Sequence, residues 1–176
     1  GKQDLAEDEL ARHVDNHPNS PHREQTRFFQ ADNKILLSKF KESIPMLDSF
    51  LADYASSIFR DRALFNRATV AFQEESKYPE TLQFLDQIFE GFPNSTILDL
   101  AHTLKGDTIA TMATEPEEGK EEAEYKEDAL VSYKEARAQA ERAEHPTIRA
   151  QALFKMVDVQ VDLAGVREEE EKADEA

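Results

Sequence analysis

Glu9, His13 and His17 stand four residues apart, a spacing that on a helix brings side chains to one face and lets two imidazoles chelate a zinc-like ion. Two features oppose such a site. Pro18 disfavours helical geometry at His17, and no fourth ligand or supporting shell is evident, so no metal or other cofactor is expected. His22, His102 and His145 are isolated along the chain. Cysteine is absent, which removes disulfides and thiolate metal sites. The five glycines fall at 1, 91, 106, 119 and 165, too scattered for a phosphate-cradling loop, and neither HExxH nor GxSxG occurs. Acidic pairs abound, but with 37 Asp and Glu their proximity is uninformative about general acid and base roles. Asn94-Ser95-Thr96 has the form of a glycosylation acceptor, yet a helix cap accounts for it better. No catalytic residue is assigned, and the chain reads as a non-enzyme.

The elements that must position these residues follow from size and charge. A chain of 176 residues suits one domain or a short repeat array, and eleven Phe and four Tyr supply enough core material. The net charge of −16 argues against nucleic acid and anionic membrane surfaces. Residues 113–176 hold 19 acidic against 9 basic side chains and so carry most of the excess. No apolar run is long enough for a membrane span.

Internal repetition organises the whole. His17-Pro18-Asn19-Ser20 recurs as Phe92-Pro93-Asn94-Ser95, with looser copies at Tyr54-Ala55-Ser56-Ser57 and His145-Pro146-Thr147. Each point combines a helix breaker with a Ser or Thr able to cap the next helix. After it, apolar columns stand at i, i+3 and i+7: Phe28, Ala31, Ile35; Phe65, Ala68, Phe72; Thr103, Gly106, Ala110; and Met156, Val159, Leu163. Small residues dominate the middle column, as where two helix backbones approach closely. Before each point a second set stands at i, i+4 and i+7: Ala6, Leu10, His13; Ser43, Leu47, Phe50; Thr81, Leu85, Ile88; and Ala129, Tyr133, Ala136. The pattern predicts helices over about 3–16, 21–38, 41–54, 57–74, 78–91, 95–112, 120–144 and 147–165. Short connections make neighbours antiparallel, so the expected fold is all-α, a stack of helix pairs. The alternative is an ordinary helical bundle with similar turns.

These columns resemble the tetratricopeptide repeat family. Tyr78, Thr81, Leu85, Ile88 and Pro93 match the second-helix half of its signature; Phe65, Ala68 and Phe72 match the first, and Ala129, Tyr133 and Ala136 fit best. The resemblance implies a right-handed α-α superhelix over residues 1–166, with about three full repeats, a half repeat at each end and an acidic tail at 167–176. Unpaired end stripes would expose apolar surface, the mark of a segment from a longer array with Gly1 a cloning remnant, and would permit weak self-association through the terminal helices. FPNST before a helix is similar to repeats of bacterial cell-envelope proteins of outer-membrane assembly and Tol-Pal type, which points to the periplasm or envelope.

The resemblance also implies a function, a noncatalytic scaffold presenting a concave groove to a protein or peptide. Its groove columns fall on Phe29, Asn33 and Leu36; Asn66, Val70 and Gln73; and Leu104, Thr108 and Met112, with Val157 and Val161 beyond. The competing reading for the apolar members is packing between repeats. The family's carboxylate clamp needs Lys and Arg where this chain has Leu37, Glu74 and Met112, so that activity is not expected. An alternative function is the accessory or substrate-recognition region of a multidomain enzyme. The acidic stretch 113–128, broken by Pro116 and Gly119, reads as a solvated loop or a dock for a basic partner.

Overall fold

In the computed structural model the described residues are 2–17, 19–74, 76–114, 116 and 120–174, without the side chains of 2–4, 6 and 170–174. Among them are eight α-helices and no strand: α1 Lys2–Asn16, α2 Arg23–Leu36, α3 Phe40–Asp53, α4 Arg60–Gln73, α5 Tyr78–Gly91, α6 Leu98–Met112, α7 Glu122–Arg142 and α8 Pro146–Asp174. The fold is all-α, with consecutive helices packed on one another within each of the two units described below. Pro18, Gly119 and the Ala6 side chain, used in the sequence reading, lie outside the described residues.

Three of the repeat points fold into the same turn. Ser20 Oγ accepts the backbone N–H of His22 at 3.1 Å, Ser57 Oγ that of Phe59 at 3.0 Å, and Ser95 Oγ that of Ile97 at 3.3 Å. The serine therefore closes a turn ahead of the helix instead of capping it. His22, Phe59 and Ile97 occupy the cap positions without side-chain cap bonds, and α2, α4 and α6 begin two or three residues later than the pattern predicts. Their cap backbones agree closely, with φ of −94°, −99° and −109° and ψ of 5°, 3° and 12°. At the fourth point Pro146 opens α8, where its missing N–H costs nothing.

The second-helix columns and the small middle positions of the first helices become the core, while Ile35, Phe65, Phe72, Thr103, Ala110 and Met156 are half-buried. Ala31 and Ala68 are fully buried, as are Ser43, Leu47 and Phe50, then Thr81, Leu85 and Ile88, while Ala129, Tyr133 and Ala136 are at most 2 % exposed. Each large apolar side chain so buried stabilises by about 1.5–3 kcal/mol. Toward α1 the same column is only half-buried at Leu10 and His13.

The chain divides into two compact units, 1–88 and 89–176. In the first, α1 packs on α2, α2 on α3 and α3 on α4, and the first-type helices α2 and α4 also touch. Its core is aromatic, with Phe28 stacked on Phe59 at 4.9 Å between centroids and Phe50 against Phe28 at 5.8 Å. Two buried cations tie the helices together. Lys34 of α2 pairs with Glu7 of α1 and with Glu42 of α3, and Arg67 of α4 reaches Asp48 of α3 at 2.9 Å and Glu80 of α5 at 3.1 Å. In the second unit α6 packs on α7, α7 on α8, and α6 touches α8.

The extra residues before the last repeat point do not all form a loop. Residues 122–128 are the first two turns of α7, where Lys126 pairs with Glu122, and Lys120 pairs with Asp128 at 2.8 Å. Likewise α8 runs unbroken past residue 166 to Asp174, so its acidic end is helical to that point. Among the described residues no helix is long and apolar enough to cross a membrane.

Candidate functional site

In the first unit α2 and α4 carry six of the sequence-derived groove residues. Phe29 is 36 % and Leu36 62 % exposed, and Gln73 is exposed as well. Phe29 is the open edge of the aromatic core, tilted against Phe28 at 5.4 Å and Phe59 at 5.8 Å. Packing below therefore holds its ring at the surface, so little side-chain freedom remains to be lost on contact. Asn66 is half-buried, and its Nδ2 donates to Asp32 Oδ1 on α2 at 2.9 Å. That bond fixes α4 beside α2 and spends part of the amide that a peptide backbone would use.

Two members of this set lie below the surface. Val70 is fully buried and Asn33 is 7 % exposed, so neither can line a surface groove. Val70 lies two positions after the close-approach residue Ala68, and Asn33 two after Ala31. That turn of the helix faces neighbouring helices instead of solvent. For these positions the packing reading applies. What remains open is a surface of apolar Phe29 and Leu36 flanked by the polar ends of Asp32, Asn66 and Gln73.

The second unit carries the remaining members. Thr108 is fully buried and its Oγ1 donates to Leu104 O at 2.7 Å, so its hydroxyl serves its own helix. Leu104 and Met112 are half-buried. By contrast Val157 is 56 % and Val161 65 % exposed, in a stripe along α8 with Leu153 and Phe154.

Polar side chains organise this unit in ways the sequence reading did not identify. Tyr133 donates to Asp107 Oδ1 at 2.7 Å, and Lys155 of α8 approaches the same oxygen. Burial, reinforced by that bond to an anion, pushes the Tyr133 phenol well above its ordinary value, so it stays a neutral donor. Asp99, 1 % exposed in the first turn of α6, meets His145 Nδ1 at 2.7 Å. These partners are 26 to 48 residues apart in sequence, and no local spacing announces them.

Two clefts open in the second unit. One of about 540 Å³ lies between α7 and α8, with Leu130, Val131 and Leu163 among its lining residues and Arg167 paired to Glu127 at its edge. The other, of about 380 Å³, lies between α6 and α7 and gathers His102, Lys105, Asp128, Ser132 and Glu135. Burial lowers the His102 imidazole below its ordinary value, against an opposing pull from Glu135, and its ring stacks on Phe89 at 4.2 Å. Ser132 Oγ donates to Asp128 O at 3.2 Å, which commits the hydroxyl to its own helix and not to activation by a base.

Against known proteins, no family model matches the chain, and no curated protein matches it.

Proposed function

We propose that this protein is a noncatalytic interaction scaffold, a degenerate array of tetratricopeptide type whose first-helix surface receives a peptide or protein segment. The observation that carries the reading is the surface of α2 and α4, where Phe29 and Leu36 stay exposed beside Asp32, Asn66 and Gln73 while the second-helix columns of α3 and α5 are buried. Apolar area flanked by amide and carboxylate groups suits an extended segment, which buries one side chain against Phe29 and Leu36 and bonds its backbone to the polar rim. The three equal serine turns and the buried small residues at 31, 68 and 106 support the repeat register from which the surface was chosen.

The test is selection of binders from a random peptide display library. Native protein should enrich peptides whose binding falls at least tenfold, about 1.4 kcal/mol, in a Phe29→Ala, Leu36→Glu double variant. Val131→Glu, an exposed position in the second unit, should leave binding unchanged. Enriched peptides indifferent to Phe29 and Leu36, or no enrichment at all, would remove the proposed surface.

A further inference from the structure

The structure brings the His13 and His17 rings together although α1 ends before His17. His17 follows the last residue of α1, Asn16, and its N–H bonds back to His13 O at 3.0 Å. The two imidazoles are neighbours, with ring centroids 5.1 Å apart and planes tilted by 47°. Two imidazole nitrogens bound to one ion at ~2.0–2.1 Å, with an angle of roughly 90–109° at the ion, put ring centroids about 4.6–5.3 Å apart. The observed separation falls inside that window.

The surroundings also suit an ion. His13 Nε2 lies 3.2 Å from Ser20 Oγ, the kind of hydrogen bond that a ligating imidazole keeps on its other nitrogen. His13, Asn16, His17, Asn19 and Ser20 line a cleft of about 480 Å³, roomy enough for an ion with its remaining waters. His17 is exposed and His13 half-buried, so the cleft is reached from solvent. Among the described residues no group of three or more His, Asp or Glu is placed to hold a metal, so amide oxygens and water would complete the coordination.

We infer that His13 and His17 form a two-imidazole site for a divalent first-row transition ion, Zn²⁺ or Ni²⁺, at the junction of α1 with the turn into α2. Bound there, the ion clips the end of α1 to its own last turn and stiffens the entry to the first repeat. Hard ions such as Mg²⁺, which prefer oxygen ligands, are not its occupants.

Titration of the full chain with Ni²⁺ or Zn²⁺, followed by calorimetry and by histidine ring signals in NMR, tests this. One site per chain is expected, with the His13 and His17 rings perturbed and His22 unaffected. His17→Ala, at an exposed position with helical content checked by circular dichroism, should weaken the site about 10–100-fold, while His22→Ala leaves it intact. Mg²⁺ at equal concentration should move neither ring. Uptake that survives His17→Ala would assign the ion to the acidic surface and overturn the site, as would undisturbed rings at about 1 mM Ni²⁺.

Discussion

The α2–α3 pair of the first unit and the α6–α7 pair of the second stand on the same columns and fill them with different side chains. Where α2 presents Ala31, α3 answers with Leu47, and both are fully buried. Where α6 presents Gly106, α7 answers with Tyr133, whose ring occupies the space an alanine methyl would need: a Cβ built on Gly106 would lie 2.4 Å from Tyr133 Cε1. Large and small have been redistributed across one interface while its spacing is kept. The polar ties differ as well. The first unit joins its helices with cations at 7 % and 4 % exposure, Lys34 and Arg67, whereas the second uses the Tyr133 hydroxyl and Lys155 on Asp107. Geometry is thus the common property of the repeats, and side-chain chemistry is free to vary once the volumes balance.

The sharpest way to break this comparison is to add a methyl to Gly106. Gly106→Ala should cost about 2–3 kcal/mol, since Tyr133 is buried, held by Asp107 and unable to retreat without giving up that bond. Adding Tyr133→Leu, which copies the first unit, should recover a large part of the loss. Chemical denaturation of the single and double variants gives the coupling. Additive losses would show that the two interfaces are not equivalent after all.

Much of this interface is legible in the sequence, and the reason is periodicity. Middle-column Ala31, Ala68 and Gly106, and the second-helix sets beginning at Ser43, Thr81 and Ala129, recur at fixed offsets from the turns, and burial follows those offsets. The groove is less legible. Spacing places Phe29, Asn33 and Leu36 on neighbouring faces of one helix, but whether such a residue meets solvent depends on the helix that lies across it. Hence Asn33, Val70 and Thr108 are buried and Phe29 and Leu36 are not. Arg67, Lys34 and Asp99 were invisible for a different reason. A charged residue reads as surface until its partners are brought from other helices, and Lys34 finds Glu7 from 27 residues away. At His17 the general rule for the residue before a proline holds, because α1 ends at Asn16, although the His17 N–H still bonds to His13 O.

The charge network of the first unit makes the second prediction, which concerns pH. Hydrogen bonds from Lys34 and Lys39 hold the Glu7 carboxyl below its ordinary value of 4.5. For Lys34, burial acts to lower the ammonium, but hydrogen bonds to Glu42 and Glu7 outweigh it and the group is held above its ordinary value. A carboxyl depressed by folding contributes stability that is fully present above its unfolded value and fades as pH falls through the folded one. Glu7→Gln should therefore lower the melting temperature at neutral pH, and the gap to the native protein should close as the pH drops below about 4.5. A gap that persists undiminished in acid would mean that Glu7 acts through packing. In the second unit the Tyr133 phenol itself stays neutral throughout that range.

The smallest effect lies where the units agree in backbone instead of side chain. Helix α2 ends with Leu37 N–H bonded to Asn33 O, Ser38 N–H to Ile35 O and Lys39 N–H to Lys34 O; α7 ends with Ala143 N–H to Gln139 O, Glu144 N–H to Glu141 O and His145 N–H to Ala140 O. The pattern is the same residue for residue, and in both it forces a left-handed backbone, with φ of 56° at Ser38 and 57° at Glu144. Neither residue is glycine, so each Cβ there costs about 1–2 kcal/mol. Glycine relieves that strain and gives back about 0.5–1 kcal/mol through greater freedom of the unfolded chain. Ser38→Gly and Glu144→Gly should each therefore raise stability by a net ~0.5 kcal/mol, readable as a small rise in denaturation midpoint. Because the gain comes from the backbone alone, the two increments should match despite the different chemistry of the helices they close. A gain at one site and a loss at the other would trace the strain to side-chain surroundings, and the equivalence of the two turns would fail.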